Sequence, residues 1–251
     1  MVFVSDFFVL AKKYICVTIG FMKIIDAHSH IDYITHNFQI DVMGTVVCAV
    51  KESQWQILSE MIQNDDALYG AFGVHPWFVD FVDDDFDLRL GYFLTANPKY
   101  MIGEIGLDKY RPDMNRQIEI FKKQFDIAVT LKRTVFIHCV GAWDKILHIL
   151  KEYKKSTLPT IVFHAFNGGP DILKSLINFY ENNVMFSLSE NALYDRICRI
   201  EQIPIDKILI ESDGKSNVSL VDMVKKISEI KNNPNVCDII YNNTKRILNN
   251  G

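Results

Sequence analysis

From residue 23 onward, two patterns of apolar positions alternate along the chain. Short runs dense in aliphatic and β-branched residues are followed by longer stretches whose apolar positions recur every three or four residues. The first pattern predicts a buried strand, and the second an amphipathic helix. Eight short runs stand out, at 23–28, 45–50, 68–74, 100–105, 134–138, 160–164, 184–188 and 207–211. Helical stretches lie between or after them, the clearest at 114–132, 142–154, 170–181 and 220–231. In 114–132, Ile118, Phe121, Phe125 and Ala128 keep helical spacing with charges between them. Pro170 follows Gly168 and Gly169 and suits a first helical position. Eight β/α units predict an α/β fold: a single (β/α)8 TIM-like barrel with its active site at the C-terminal strand ends. An open, doubly wound sheet is the alternative. No GxGxxG or GxxxxGK[ST] follows a strand, so the nucleotide-binding form of that sheet lacks support.

Composition narrows the picture. The chain has 251 residues, 49% of them hydrophobic, enough to bury a full core. Its net charge of -4 speaks against bulk electrostatic binding of a polyanion, so any such contact must be local. The five cysteines, Cys16, Cys48, Cys139, Cys198 and Cys237, are scattered and form no CxxC. That usage suits a reducing, cytoplasmic compartment, with each cysteine packed as a small apolar residue. Residues 1–21 stand apart: no basic residue precedes their apolar run, and Lys12 and Lys13 interrupt it. The run is too short to span a bilayer and lacks the charged start of a signal peptide. We expect 1–21 to be an N-terminal appendage, or natural translation to start at Met22, and 22–251 to be the barrel.

The candidate chemistry collects at the strand ends. In DAHSHID (26–32), His28 and His30 project to one face of the first strand. By itself this pair suits a metal site or two ordinary strand-end histidines equally well. The third strand ends in GVHP with His75, the fourth carries Glu104 in MIGEIGLD, the fifth ends on His138 and the sixth on His164. The eighth runs into Glu211-Ser212-Asp213. Five of the seven histidines therefore fall on one rim; His36, in a polar loop, and His148, in a helix, read as solvated or packed. Imidazole and carboxylate together suit zinc, manganese, iron or nickel, whereas magnesium prefers oxygen ligands. Four histidines and two acids exceed the needs of one tetrahedral ion, which predicts two divalent ions bridged by a carboxylate.

DAHSHID, GVHP, GEIGLD, the His138 strand, FHAFNGG, ESD and NNTKRIL, in this order, resemble the TatD family of metal-dependent hydrolases. The resemblance spans nearly the whole chain from Met22. It implies a (β/α)8 barrel with a dinuclear metal centre and deoxyribonuclease or related phosphodiesterase activity. It further implies that His28, His30 and Asp213 hold one ion, His138 and His164 the other, and Glu104 bridges both. His75 would meet the substrate phosphate or leaving group, and Asp213 would orient the attacking water, which makes Asp213, Glu104 and His75 the catalytic candidates. Asp26 would support the histidine pair from behind, while Asn243 and Thr244 would be structural and Asp32 an ordinary loop residue.

The chain departs from the family pattern in three places. The family's Ala-Pro after ESD and its long basic loop are replaced by ESDGKSNVSL; Val140 stands where an Arg is common; Trp77 follows GVHP in place of His. The remaining candidates for substrate contact are His75, Trp77, Lys109, Arg111 and Lys215. Trp77 and Phe78 could stack on a base or simply pack the loop, and Trp143 reads as packing. The expected partner is a phosphate-containing substrate, single-stranded DNA among the candidates, with no membrane and no obligate protein partner. Two other readings stand beside this one: an amidohydrolase-like enzyme cleaving C–N or C–O bonds, and a metal-binding barrel with little or no catalysis. Glu104 in place of a carbamylatable lysine argues against the first, and the complete donor set against the second.

Overall fold

The computed structural model describes residues 22–34, 42–195, 197–215 and 218–249. The expected appendage at 1–21 and His36 lie outside them. Eight strands follow one another around a single sheet: β1 (Ile25–His30), β2 (Gly44–Cys48), β3 (Leu68–Phe72), β4 (Met101–Asp108), β5 (Val135–Val140), β6 (Ile161–Phe163), β7 (Val184–Leu188) and β8 (Ile208–Ile210). Each pairs in parallel with the next. Helices separate them: α1 (Ile31–Ile34), α2 (Trp55–Asn64), α3 (Phe86–Ala96), α4 (Met114–Leu131), α5 (Trp143–Leu150), α6 (Pro170–Tyr180), α7 (Glu190–Asp195), α8 (Ile197–Gln202), α9 (Leu220–Lys231) and α10 (Val236–Asn249). This is the (β/α)8 barrel that the hydrophobic pattern predicts. At the seam between β8 and β1, Asp213 N–H donates to His28 O at 3.1 Å.

The core has two layers, as a filled barrel requires. Strands β2 to β8 give the lumen Val46, Cys48, Ala71, Met101, Phe136, Val162, Met185 and Leu209, and Ile247 of α10 joins them. The opposite strand faces send Phe72, Phe163 and Phe186 out against the helices. Asn243 of α10 donates its amide to the carbonyls of Ile205 and Ile208, each at 2.9 Å, so this residue ties the last helix to the entry of β8. Thr244 turns its hydroxyl back to Ile240 O at 2.9 Å.

Several boundaries differ from those the sequence suggests. β1 continues to His30, and β4 continues through the whole of GEIGLD to Asp108. The extension of β4 has a physical cause: Ile105–Asp108 pairs residue by residue with Ile137–Val140 of β5. Gly106 permits that approach, since a Cβ there would meet His138 O at 1.9 Å and its φ is 151°. The helix expected over 142–154 is shorter, Trp143–Leu150. Asp32 sits on the single turn of α1 instead of in a loop.

α4 shows what apolar spacing leaves out. Its buried face includes Phe121, Phe125 and Ala128 as expected, but Ile118 is only half-buried, and Gln117 and Gln124 are fully buried on that face. Both glutamines bond loop backbone that no strand can satisfy. Gln124 accepts from Val74 N (2.7 Å) and donates to Val74 O (3.0 Å), next to His75. Gln117 accepts from Asp108 N (2.8 Å) and donates to the carbonyls of Asp108, Arg111 and Pro112. One helix thus clamps two of the loops at the catalytic rim.

Candidate active site

Glu104 is the centre of the rim. Its buried carboxylate is met by imidazoles from four parts of the barrel. On Oε1 are His75 Nε2 at 3.2 Å, His138 Nδ1 at 2.9 Å and His164 Nε2 at 3.0 Å. On Oε2 are His28 Nε2 at 3.3 Å and His30 Nε2 at 3.7 Å. Asp213 lies at the edge, with Oδ1 3.6 Å from His30 Nε2. Ring nitrogens also face one another: His28 and His30 Nε2 are 3.4 Å apart, and His138 Nδ1 is 3.2 Å from His164 Nε2. Facing nitrogens with convergent lone pairs surround a cation better than they bond each other. Among the described residues, His28–His30–Asp213, His28–Glu104–His164, His75–Glu104–His138 and His164–Glu211–Asp213 each bring three donor atoms within 4.8 Å. The residues present therefore fit divalent metal.

The second nitrogen of each ring separates two kinds of histidine. His30 Nδ1 faces Cys48 O at 3.4 Å, and His164 Nδ1 faces Glu211 Oε1 at 3.1 Å. His28 Nδ1 lies 3.3 Å from Cys48 Sγ, and His138 Nε2 lies 3.5 Å from Asp108 Oδ2. An oxygen acceptor behind the ring, as at His30 and His164, keeps the proton on the outer nitrogen and leaves the inner lone pair free for a metal. His75 is the reverse. Its Nδ1 accepts Trp77 N–H at 3.2 Å, so in the neutral ring the proton is on Nε2, facing Glu104. His75 is built as a hydrogen-bond donor toward the centre.

The electrostatics follow from burial among opposite charges. Burial alone would raise the pKa of Glu104, but the surrounding imidazoles outweigh it and hold the carboxylate well below its usual range. Burial lowers His28, and lowers His75 to about 4, so His75 is neutral at ordinary pH. His164 is also buried, yet Glu104 and Glu211 raise it well above the usual imidazole value. Burial opposes charge on His30 and His138 as well, but Asp213 and Glu104 raise the first, and Asp108 and Glu104 the second. Asp213, partly desolvated, is nonetheless depressed by His30 and its neighbours.

All six expected ligands and His75 come together. Asp26 is buried behind the histidine pair and reaches it through backbone, with no hydrogen bond to an imidazole. It accepts from His28 N at 3.2 Å, Ser212 N at 3.0 Å and Ser212 Oγ at 2.6 Å, and so joins β1 to the segment after β8 through backbone. Burial pushes its pKa up to about 7.

The expected substrate contacts are more dispersed. Trp77 is half exposed; its indole N–H donates to Asp108 Oδ2 at 2.8 Å, and the Arg111 guanidinium lies 3.9 Å from its ring centre. Lys109 Nζ lies 4.9 Å from the Tyr110 ring centre. Lys215 pairs with Asp213 Oδ2 at 3.4 Å and, with Ala165, Phe166, Asn167, Ser189 and Asn191, lines a cleft of about 210 Å³ beside that aspartate. Trp143 packs on Phe163 and Phe166, and His148 lies exposed on α5, 3.8 Å from Glu152.

Sequence reasoning missed Glu211, Asp108 and Cys48 as neighbours of the centre. Glu211 stood in view inside ESD. It is fully buried and accepts from Ala165 N at 2.8 Å, while its Oε2 has no hydrogen-bond partner in this structure.

The family model for TatD related DNase matches residues 25–249. The chain belongs to that family. It is similar to the 3'-5' RNA nuclease TATDN2 of Homo sapiens, at 29% identity over 163 residues, 62% of this chain and 21% of that protein. It is similar to the 3'-5' ssDNA/RNA exonuclease TatD of Erwinia tasmaniensis, at 29% identity over 167 residues, 65% of this chain and 64% of that one. The chain thus spans about a fifth of the length of the first relative and less than two thirds of the second. The crystal structure of YJJV, a TatD homolog from Escherichia coli k12, superposes with a TM-score of 0.80 at 22% identity, covering 91% of this chain and 99% of that one, and so shares the TatD barrel fold.

Proposed function

We propose that this TatD-family protein is a metal-dependent phosphodiesterase that hydrolyses single-stranded nucleic acid through a two-ion centre. The observation that carries the reading is the ring of five imidazoles around one buried carboxylate, in which His30 and His164 are backed by oxygen acceptors and His75 by a donor. His28, His30 and Asp213 would hold one ion, His138 and His164 the other, with Glu104 shared. Bound divalent ions supply Lewis acidity, which lowers the pKa of a water and stabilises charge on a phosphoryl oxygen. The chain's own residues do the rest. Asp213, at the open edge of the centre, accepts a proton from the attacking water and orients it. His75 donates Nε2–H to the phosphoryl or leaving oxygen. Its low pKa fits a neutral hydrogen-bond donor better than a cation. Lys215, 3.4 Å from Asp213, offers a cation for a substrate phosphate. The names of the human and Erwinia relatives support nucleic acid as the substrate and a strand end as the point of attack.

The test is a turnover comparison with protein reconstituted in turn with zinc, manganese and magnesium. End-labelled single-stranded DNA and RNA, duplex DNA, a small phosphodiester and a dipeptide amide are offered separately. Stepwise shortening of the single strands supports the proposal; amide cleavage without phosphodiester cleavage overturns it.

A further inference from the structure

We infer that Asp108 is a positioning residue for the metal centre: held by Trp77, it keeps the proton of His138 on Nε2 and so presents Nδ1 to the metal. The inference rests on reading His138 as a ligand and extends that reading to two residues outside the donor set. Among the four rings read as metal ligands, only His138 turns Nδ1 to the centre; His28, His30 and His164 all turn Nε2 inward. The outward Nε2 of His138 is buried and makes no hydrogen bond in this structure. The acceptor nearest to it is Asp108 Oδ2, at 3.5 Å, about 0.5 Å beyond the usual N–H···O distance. A small rotation of the His138 ring would close that gap.

Asp108 is built for this place. It is buried at the end of β4, and Gln117 bonds both its N–H and its carbonyl. Oδ1 accepts Tyr110 N–H at 2.9 Å, and Oδ2 accepts the Trp77 indole N–H at 2.8 Å. The carboxylate therefore cannot turn, and the second lone pair of Oδ2 remains for His138. Trp77 is pinned in its turn by the Arg111 guanidinium over its face. The Trp that replaces the usual His after GVHP thus acts here through Asp108 and not as a free stacking surface.

This geometry makes Asp108→Asn informative. All three neighbours of the carboxylate present N–H groups. An asparagine oxygen at the Oδ1 position puts its NH2 against Trp77 and His138 Nε2. That arrangement favours a bare Nε2 and a proton on Nδ1, the atom the metal needs. With the oxygen at the Oδ2 position, the NH2 faces Tyr110 N–H and is repelled. Asparagine cannot serve all three, whereas aspartate can.

The experiment uses zinc-loaded full-length protein with 15N-labelled histidine. In the wild type, long-range 1H–15N spectra should show zinc on Nδ1 of His138 and a hydrogen-bonded proton on Nε2. Asp108→Asn should lose that proton signal and weaken zinc binding, read by competition with a chromophoric chelator, by about 10- to 100-fold. Trp77→Phe, which removes only the indole N–H, should weaken zinc binding severalfold while keeping the tautomer. Zinc on Nε2 of wild-type His138 overturns the inference without use of any variant. So does an Asp108→Asn protein with wild-type affinity and spectrum, and wild-type affinity in Trp77→Phe overturns the part given to Trp77. None of these readouts uses a substrate. If the protein binds zinc as described but cleaves no nucleic acid, the proposed function fails and this inference stands; if wild-type protein binds no zinc, the metal reading itself fails.

Discussion

Glu104 is the residue on which most of the site depends, because among the described residues it alone lies within 4 Å of all five imidazoles. Glu104→Gln keeps the shape but removes the charge the rings need. It should cut both metal content and turnover by more than the roughly 10–100-fold typical of an outer partner, measured by elemental analysis and initial rates. His75→Ala should behave differently. Its inner nitrogen carries a proton, so metal content should stay at the wild-type level while kcat falls about 10²–10³-fold, the usual cost of a lost transition-state donor. Loss of metal in His75→Ala would make it a ligand. Asp26 makes a prediction about pH. Burial lifts its pKa from 3.8 to about 7, so between those values the folded chain holds a proton the unfolded chain has released. Its contribution to stability is full below about pH 4 and is lost as pH rises through about 7. Urea unfolding in a chelator should show the stability of the wild type falling relative to Asp26→Asn between pH 5 and pH 8. A constant difference between the two proteins would refute the shift.

At the scale of elements, α4 connects the sequence pattern to the site. Its apolar stripe is legible at helical spacing, but nothing in that spacing marks its two buried glutamines. They are buried because the loops after β3 and β4 leave backbone groups that only a side-chain amide can reach. Gln124→Leu should cost about 1–3 kcal/mol for each Val74 group left unpaired, and should raise KM or lower kcat by disturbing His75. Chemical denaturation and steady-state kinetics check it, and unchanged stability would mean that the loop holds itself. The reach of β4 to Asp108 was equally invisible, since it comes from pairing with β5 and from the missing side chain of Gly106. The strands β6 and β8 are three residues long where five-residue runs are expected; the residues after them, His164 and Glu211, still bond the neighbouring strands through backbone N–H while their side chains meet each other in the centre.

At the scale of the whole molecule, the donor set joins β1, β4, β5 and the segments after β6 and β8, so bound metal would clasp the barrel across its seam. Asp26, Ser212, His28 and Asp213 already hold that seam by hydrogen bonds. Metal that binds the folded chain alone should therefore raise the thermal midpoint, by an amount worth about 2.7 kcal/mol at a free concentration 100-fold above Kd. Calorimetry with and without zinc measures this, and a midpoint indifferent to zinc and chelator would contradict it. No helix among the described residues is long and apolar enough to cross a membrane.

The chain's sequence alone determined the repeating β/α order, the barrel, and the placing of five histidines, Glu104 and Asp213 at the rim. Strand ends and apolar spacing are local properties, and each of those residues is marked by its own short segment. Only the tertiary structure decided which nitrogen of each ring faces inward and what stands behind it. Cys48, Asp108, Glu211 and Gln124 each meet a group 20 to 50 residues away along the chain. Their roles depend on the closure of the barrel, which brings distant strand ends within a hydrogen bond of one another, and no local pattern encodes that distance.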